Sequence, residues 1–208
     1  MHYILIGDSG HSKVIEDCIR ANGHQVIAKL DDRYQSVFKE DVYIKGPMTI
    51  IQDLLDEKTK VIISIGHNAT RRKIAQRIQL SEECYGTVIH PSAIISPTST
   101  IGYGTVVMPN VVVNADSIVE NHVILNTSCI VEHDCAVQSF VHISPSAVIT
   151  GGVSVQEGTQ IGARASVNPT VKIGKWTMIG AGSTVTHHIP DNVTAVGVPA
   201  KIIKKEGL

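Results

Sequence analysis

The chain has 208 residues, of which 43% are hydrophobic and 4% aromatic, and its formal net charge is -1 at pH 7. This length and composition predict one or two domains whose interior is filled by Ile, Val and Leu. A near-neutral chain has no global field that would draw it to nucleic acid or to an anionic membrane. No apolar run approaches the roughly 18 residues of a membrane span. The start MHYILIG reads as a strand and not as a signal peptide.

Four cysteines occur in the chain, at Cys18, Cys84, Cys129 and Cys135, and none forms a CxxC pair. They are too few and too scattered for the disulfide framework of a small secreted domain. We therefore expect a cytoplasmic protein with reduced thiols, without nucleic-acid partners and without membrane insertion.

Residues 1–86 alternate short apolar strands with helical segments. The strands read YILIG, HQVIAKLDD, VYIKG and KVIISIG, and helical patterns follow the first, third and fourth of them. The first helix has apolar spacing at Val14, Cys18 and Ile19, with Gly23 as its C-cap. This alternation predicts a small parallel sheet with helices on its faces, which is a Rossmann-like α/β domain.

A strict six-residue period begins at Ile89. Every sixth residue is Ile, Val or Leu for seventeen consecutive positions, without an insertion. The positions four residues later are mostly small or Val, so a large and a small side chain on the same pleated face both point inward. Such a repeat predicts a solenoid of short parallel strands whose stacked coils supply one another's core. The periodic residues are Ile89, Ile95, Ile101, Val107, Val113, Val119, Leu125, Val131, Val137, Ile143, Ile149, Val155, Ile161, Val167, Ile173, Ile179 and Val185.

The period resembles that of the left-handed parallel β-helix, in which three hexads form one triangular coil of eighteen residues. The resemblance supplies the handedness, which departs from the usual right-handed crossover rule. We expect this prism, a hexapeptide-repeat β-helix, to occupy residues 87–190 and a terminal cap to occupy residues 191–208.

The stretch Glu132-His133-Asp134 groups side chains capable of proton chemistry within otherwise aliphatic sequence. Residues eighteen apart lie above one another in such a prism, so His133 should lie directly beneath Gly151. That glycine opens a Gly151–Gly152 pair whose backbone N–H groups are expected to be free, and these could bind an oxyanion. By the same geometry His133 and His142 are half a circumference apart. They can share a site only across an interface between chains, which predicts an oligomer.

Several motifs together resemble the NeuD/PglD family of bacterial acetyl-CoA-dependent sugar acetyltransferases. They are GDSGHSKVI, the LDD that ends the second strand, ISIGHNATRRKI, the hexapeptide prism, NTSCIVEHDC, FVHISPSAVITGGV and the closing VGVPAKII. The resemblance covers nearly the whole chain, and the set is more specific than a hexapeptide repeat alone. It implies an enzyme that acetylates UDP-4-amino-4,6-dideoxy sugars or sialic acids. It also implies a homotrimer of prisms with acetyl-CoA in the cleft between neighbours.

The resemblance further implies roles for individual residues. His133, the histidine of the E-H-[DE] motif, would be the general base, and Asp134 would orient and tune its imidazole. His142, the histidine of FVHIS, would contact the acetyl-CoA end of the site. The coenzyme channel would be lined by Gly151, Ala163 and Ala181, of which Ala163 should lie beneath Ala181. The positions that hold the nucleotide sugar would be Ser9, Gly10, His11, Asp31, Asp32 and Gly66.

The chemistry of these residue types agrees with the resemblance. A histidine with a pKa near 6.5 accepts a proton at neutral pH, and an adjacent carboxylate fixes its tautomer. The loop Gly7–His11 follows a strand and opens a helix, so its N–H groups and the helix dipole favour phosphate. The six-residue register directs Cys135 into the core and not towards substrate. Arg71 and Arg72 could bind a diphosphate or lie in solvent. Lys201, Lys204 and Lys205 could bind the coenzyme's phosphates or lie in solvent.

Three alternatives differ in activity. A UDP-4-amino sugar gives N-acetylation and a sialic acid gives O-acetylation; the nucleotide-holding positions favour the former. A non-catalytic sugar-nucleotide-binding trimer is the second alternative, and the intact E-H-D motif argues against it. A gamma-class carbonic anhydrase on the same fold would need three convergent histidines. His122, His133 and His142 lack that family's closely spaced pair, so no metal is expected.

Overall fold

The computed structural model describes residues 1–205, which form an α/β unit followed by a triangular β-prism. None of the helices within these residues is long and apolar enough to cross a membrane. The α/β unit consists of β1 (His2–Ile6), α1 (Gly10–Ala21), β2 (Gln25–Leu30), β3 (Phe38–Glu40), β4 (Tyr43–Gly46), α2 (Ile51–Leu54), β5 (Thr59–Ile63) and α3 (Asn68–Ile78). Its sheet has the order β3-β4-β2-β1-β5, in which only the β3–β4 pair is antiparallel. The predicted Rossmann-like arrangement is confirmed.

Three local features of this unit differ from the sequence-based expectation. Strand β3 was not predicted, because all three of its residues are exposed and it has no apolar alternation. The segment MTIIQDLLDE, for which a helix was predicted, forms a 3₁₀ turn followed by the four-residue helix α2. Val14 does not belong to the buried face of α1, since it is 41% exposed while Ile15 and Ile19 are fully buried. The phase of the helix is therefore set by Ile15, one residue later than the pattern suggested.

The prism places one two-residue strand in each six-residue repeat. The second residue of each strand is the periodic aliphatic, as predicted, and all of these residues from Val107 to Val185 are buried. Strands eighteen residues apart pair in parallel, so that Val131 lies between Val113 and Ile149. Ile89, the first periodic residue, is only partly buried, because no coil precedes it.

The strands form three faces. The first face contains β6 (Val88–Ile89), β9 (Val106–Val107), β12 (Ile124–Leu125), β15 (His142–Ile143), β18 (Gln160–Ile161) and β21 (Met178–Ile179). The second contains β7 (Ile94–Ile95), β10 (Val112–Val113), β13 (Ile130–Val131), β16 (Val148–Ile149), β19 (Ser166–Val167) and β22 (Thr184–Val185). The third contains β8 (Thr100–Ile101), β11 (Ile118–Val119), β14 (Ala136–Val137), β17 (Ser154–Val155) and β20 (Lys172–Ile173).

The chain passes from first to second to third face, and we number the corners accordingly. The first corner joins the first and second faces, the second corner joins the second and third, and the third corner returns to the first. After the last rung, β23 (Val193–Val196) extends the first face and β24 (Lys201–Lys205) pairs antiparallel with it. Residues 206–208 of the expected cap lie outside the described residues.

The corners carry residues in the left-handed backbone region, three positions after the buried aliphatic. Asn110, Asp116 and Asp134 have φ values of 60°, 60° and 58°. This conformation is unfavourable for most residues because Cβ crowds a carbonyl oxygen, and among non-glycine residues Asn and Asp tolerate it best. Asp116 and Asp134 remain exposed there. The repeat therefore holds its corner side chains outside the prism while the aliphatics fill the inside.

The α/β unit and the prism share one hydrophobic core. Leu5, Ile19 and Ile62 from the sheet and α1 belong to the same buried cluster as Val106 and Met108 of the prism. The opposite face of the sheet has a separate cluster of its own. The shared core ties the loops at the carboxyl ends of the strands to the first face of the prism.

Helix α3 binds the third corner through polar side chains. Asn68 donates to the carbonyl of Gly158, at 3.0 Å, and Arg71 donates to the carbonyls of His122 and Phe140, at 2.9 and 2.8 Å. These three carbonyls are eighteen residues apart and form a column along the prism. Arg71 is 1% exposed, so it meets neither solvent nor a diphosphate, the two partners considered from the sequence.

The inward register predicts a strong contrast between adjacent residues of β20. Ile173 is fully buried in the prism, whereas Lys172 is exposed. We expect Ile173→Ala to lower the free energy of unfolding by about 2–5 kcal/mol, because it leaves a cavity between stacked coils. Lys172→Ala should change it by less than about 0.5 kcal/mol. Urea titration followed by circular dichroism measures both; equal losses would contradict the assigned register.

Candidate active site

The predicted catalytic pair lies at the second corner, directly after β13. The imidazole Nδ1 of His133 is 2.6 Å from Oδ2 of Asp134. The corner conformation of Asp134 brings its carboxylate beside the preceding side chain, and its backbone N–H donates to the carbonyl of Ala115 at 3.0 Å. Both side chains are open to solvent in the single chain, with 62% and 65% exposure. The pair is therefore formed within one protomer and is accessible.

Asp134 determines the protonation behaviour of His133. Its hydrogen bond raises the pKa of His133 above the ordinary value, and the negative charges of Asp134 and Glu132 act in the same direction. With the carboxylate as acceptor, Nδ1 carries the proton and Nε2 has the free lone pair. The arrangement produces a base somewhat stronger than a free imidazole, directed away from its own carboxylate.

Gly151 provides the surface against which the imidazole lies. A Cβ atom added to Gly151 would be 2.6 Å from Cε1 and 2.7 Å from Nε2 of His133, so no larger residue fits without displacing the ring. The expectation of two free N–H groups here was wrong for Gly152, which donates to the carbonyl of His133 at 2.9 Å. The stacking of coils uses that donor. Among the described residues, the Gly151 N–H has no acceptor.

The cysteines beside this corner are part of the core. Cys135 is 2% exposed, and its thiol donates to the carbonyl of Thr150 at 3.2 Å. Burial raises the pKa of Cys135, and that of the fully buried Cys129 as well. Both thiols therefore stay protonated and unreactive at neutral pH, as the inward register predicted.

The residues expected to line a coenzyme channel are divided between two corners. Ala163 and Ala181 stack at the first corner, where the N–H of Gly182 donates to the carbonyl of Ala163 at 2.8 Å. His133 and Gly151 stack at the second corner. One chain therefore does not bring these two pairs together.

His142 begins β15 on the first face and lies beside the α/β unit. Its Nε2 is 3.0 Å from Nδ2 of Asn126, whose own Oδ1 accepts from the N–H of Thr127. The amide nitrogen can only donate, so the imidazole proton is on Nδ1. Burial lowers the pKa of His142 to about 3, with the charges of Arg71 and His11 adding to the effect. His142 is therefore neutral. Its buried Nδ1 makes no hydrogen bond within residues 1–205.

His11, in the first turn of α1, approaches the same place from the α/β unit. Burial lowers its pKa to about 4, and the neighbouring Arg71 cation adds to this. Its Nε2 is buried without a hydrogen-bond partner. The fold thus brings together His11 and His142, which are 131 residues apart in sequence, at the junction of the two units.

The remaining loop positions form the rim of this junction. Ser9 is the N-cap of α1, but its side chain makes no capping hydrogen bond. At Gly10 and Gly66 the position of an added Cβ has no other atom within 4 Å. The loops after β1 and β5 therefore expose backbone and small side chains beside the helix terminus, which suits an approaching phosphate.

The two adjacent aspartates have different partners. Asp31 accepts from the backbone N–H groups of Asp8 and Arg33, each at 3.1 Å. Asp32 forms a 2.6 Å ion pair with Arg77 of α3 at the edge of a cavity of about 280 Å³. Asp31 thus shapes the loop that follows β2, and Asp32 faces the cavity. Their expected contact with the nucleotide stays a prediction.

The three histidines of the metal-site alternative do not converge. His122 is buried at the third corner between Tyr85 and Phe140, His133 is at the second corner and His142 is on the first face. Within residues 1–205 no three His, Cys, Asp or Glu side chains are grouped closely enough to hold a metal ion.

Sequence reasoning missed the importance of Arg71 and of Asn126. Arg71 is three residues before Ile74 and three after Asn68, and all three are buried on one side of α3. This helical spacing was the signal that could have placed Arg71 inside. Nothing local marks Asn126 as the partner of His142. Lys201, Lys204 and Lys205 lie on the exposed strand β24, and their contact with coenzyme phosphates stays a prediction.

Comparison with known proteins agrees with this geometry. A family model described as the PglD N-terminal domain matches residues 3–78, and one described as bacterial transferase hexapeptide (six repeats) matches residues 152–187. PerB from Caulobacter crescentus, solved with CoA and GDP-perosamine, is 35% identical, covers 98% of each chain and superposes with a TM-score of 0.89. The chain belongs to the PglD family of hexapeptide-repeat sugar acetyltransferases.

Two further proteins are similar to this PglD-family chain. The acetyltransferase domain of PglB from Neisseria gonorrhoeae, solved with acetyl coenzyme A, is 34% identical over 97% of this chain and 98% of that chain, with a TM-score of 0.86. UDP-N-acetylbacillosamine N-acetyltransferase from Bacillus subtilis is 41% identical over 101 residues. That match spans 47% of each chain, about half the length of the curated relative.

The elevated pKa of His133 gives a direct test of the pair. Asp134→Asn removes the largest cause of the shift, so the pKa of His133 should fall towards about 6.5. Glu132→Gln removes a weaker and more distant influence and should lower it much less. Titration of the histidine ring by NMR measures both variants. An unchanged pKa in Asp134→Asn would show that the carboxylate does not bind the ring in solution.

Proposed function

We propose that this protein transfers the acetyl group of acetyl-CoA to the primary amine of a nucleotide-linked 4-amino-4,6-dideoxy sugar, with UDP as its nucleotide. The observation that carries the proposal is the His133–Asp134 pair, set over Gly151 at a corner of a PglD-family prism. The α/β unit supplies a second site, where loops open beside the terminus of α1. These two elements match the two substrates of such a transfer.

The identity of the relatives supports an amine as the acceptor. The Bacillus subtilis relative is named UDP-N-acetylbacillosamine N-acetyltransferase, and PerB was solved with GDP-perosamine. Both names concern amino sugars carried on a nucleotide. We therefore favour N-acetylation over the O-acetylation of a sialic acid, and an enzyme over a non-catalytic binding trimer.

The chemistry follows from the protonation state of the pair. Nε2 of His133 takes a proton from the amine as its nitrogen attacks the thioester carbonyl carbon. The new C–N bond forms a tetrahedral intermediate, whose oxyanion the Gly151 N–H would stabilise. The intermediate collapses with cleavage of the C–S bond, and the imidazolium returns its proton to the CoA thiolate. Asp134 holds the ring in the productive tautomer throughout.

A homotrimer completes the site in this proposal. His133 is at the second corner, whereas Ala163 and Ala181 are at the first, so the second corner of one prism must face the first corner of a neighbour. Acetyl-CoA then lies in the groove between them. The outward aliphatics Ile94 and Ile118 are 66% and 55% exposed in one chain, which supports burial of prism faces between copies.

We place the reaction in the cytoplasm, as a step of bacterial glycan or polysaccharide biosynthesis. Both proposed substrates, acetyl-CoA and a nucleotide sugar, are activated donors of cytoplasmic metabolism. The four unpaired thiols of Cys18, Cys84, Cys129 and Cys135 fit a reducing compartment.

Acetyl transfer depends on His133 in this proposal. We expect His133→Ala to lower kcat by about 10²–10⁴-fold with little change in KM, because the variant lacks the base but keeps both binding sites. Release of free thiol from acetyl-CoA measures the rate with UDP-4-amino, GDP-4-amino and sialic-acid acceptors. His24→Ala, a histidine that stacks on Tyr3 at the start of β2, serves as the control. Wild-type turnover by His133→Ala would exclude it as the base, and turnover of sialic acid alone would contradict the acceptor.

The contact between His133 and Gly151 gives a second test. Gly151 has an ordinary backbone conformation, so Gly151→Ala adds only a methyl group 2.6 Å from the imidazole. The ring must move, and we expect kcat to fall by about 10–100-fold. The melting temperature should stay within about 2 °C, because the displaced ring is exposed. Full activity in this variant would mean that the ring does not rest on the glycine during catalysis.

A further inference from the structure

One guanidinium group connects three segments of the chain. Nη1 of Arg71 donates to the carbonyls of Ile65 and Gly66, at 3.0 and 3.3 Å. Nε donates to the carbonyl of His122 at 2.9 Å, and Nη2 donates to that of Phe140 at 2.8 Å. The first two acceptors belong to the loop after β5, and the other two belong to successive turns of the third corner. The second of these turns leads directly into β15.

The charge of Arg71 has no counterion. The side chain is 1% exposed, and among the described residues no carboxylate forms an ion pair with it; its partners are carbonyl oxygens and the amide oxygen of Asn68. Burial lowers its pKa to about 9, so it remains a cation at neutral pH. Holding two units together does not require a charge, since the neutral amide of Asn68 binds the same column at Gly158. The buried cation therefore needs a further explanation.

Two neutral imidazoles lie beside this cation. His11 has an unpartnered buried Nε2, and His142 has an unpartnered buried Nδ1. Burial disfavours their protonation most, and the positive charge of Arg71 opposes it further in both cases. Within residues 1–205, His11 and the backbone of Gly66 also act on the pKa of His142, and Arg71 is the one charge that acts on the pKa of His11. Both rings are thus kept as neutral hydrogen-bonding groups at the junction.

We propose that Arg71 is a positioning residue, which fixes the loop at Gly66 relative to the strand that carries His142. The inference rests on the proposed function, in which that loop holds the nucleotide sugar and that strand faces acetyl-CoA. One planar group with five N–H donors sets the separation of the two substrate sites. Burial keeps His11 and His142 neutral and the charge of Arg71 adds to this, so both can bind substrate without becoming cations.

The effect on the reaction should be geometric. A misplacement of reacting groups by about 1 Å costs about 10²-fold in rate. Arg71→Lys retains a cation, but an ammonium cannot reach carbonyls on both sides in the same plane. We expect this variant to lose about 10-fold or more in kcat and to raise KM for the nucleotide sugar by about 10-fold. KM for acetyl-CoA should change less, by about twofold, because the His142 strand faces only the acetyl end of the coenzyme and Arg71 contacts neither of the two corners that form the groove.

Two matched variants separate positioning from docking of α3. Arg72, the next residue, pairs with Glu157 at 3.4 Å and lies over the Trp176 ring, so Arg72→Gln weakens the docking without touching the histidines. Asn68→Ala removes the contact with Gly158 and one acceptor of Arg71 Nη2, but it keeps the cation and its carbonyl acceptors in the Gly66 loop and at Phe140. Both controls should leave kcat and KM within about threefold of wild type. If either control reproduces the Arg71→Lys kinetics, the residue only holds α3 in place and the proposal is wrong.

Histidine titration by NMR on the full-length protein provides a readout that is independent of turnover. In Arg71→Gln the pKa values of His11 and His142 should rise by about 0.5–1 unit, while Arg72→Gln leaves both unchanged. Should Arg71→Gln fail to fold, Arg71→Lys kinetics decide the question, and wild-type parameters there overturn the proposal. Absence of acetyl transfer by the wild-type protein contradicts the proposed function alone. In that case the titration decides, and unchanged pKa values reject a role for Arg71.

Discussion

The six-residue register of the prism is the constraint on which the other features depend. Each hexad contributes one inward aliphatic, three hexads form one coil of eighteen residues, and the left-handed corner residue carries its side chain outside. The position of His133 over Gly151 follows directly, as does the placement of Asp134 beside the ring. A catalytic pair on this scaffold needs no loop to position it, because the backbone hydrogen bonds between coils hold it on both sides.

The same stacking gives the third corner a column of carbonyl groups that binds the α/β unit. Carbonyls that recur every eighteen residues, at His122, Phe140 and Gly158, point at α3 and are bound by Arg71 and Asn68. The sheet, α1 and the first coils also share one apolar core. The polar contacts add direction, because a guanidinium fork binds only in one orientation. The loop after β5 and the strand that carries His142 thus gain a defined separation.

The histidines of this protein occupy opposite environments. His133 is exposed and paired with a carboxylate, which raises its pKa. Burial lowers the pKa values of His11 and His142 to about 4 and about 3, and the neighbouring Arg71 cation adds to this. Environments that move the pKa values of like groups apart assign them different tasks. The first is suited to carry a proton, and the other two are suited to act as neutral hydrogen-bonding groups whose state does not change with physiological pH.

The sequence by itself determined the features that follow from local periodicity. The hexad period specified the inward aliphatics and the buried Cys135, since these depend only on counting along the chain. The resemblance to the left-handed β-helix added the coil of eighteen residues, and with it the stacking of His133 with Gly151. The alternation of strands and helices specified the α/β unit, but not the exposed strand β3, whose side chains carry no burial pattern. The resemblance in the E-H-D motif predicted that His133 and Asp134 form the catalytic pair.

Only the tertiary structure decided which distant groups meet. Docking of the α/β unit on the prism buried Arg71 of α3 against the third corner and brought His11 to His142 of the first face, although nothing in their local sequence links them. The N–H of Gly152, which we expected to be free, donates to the carbonyl of His133 in the neighbouring coil. An ion pair across the α/β unit engaged Asp32. These outcomes depend on the relative placement of two units, which is set by the summed packing of many side chains and not by any short pattern.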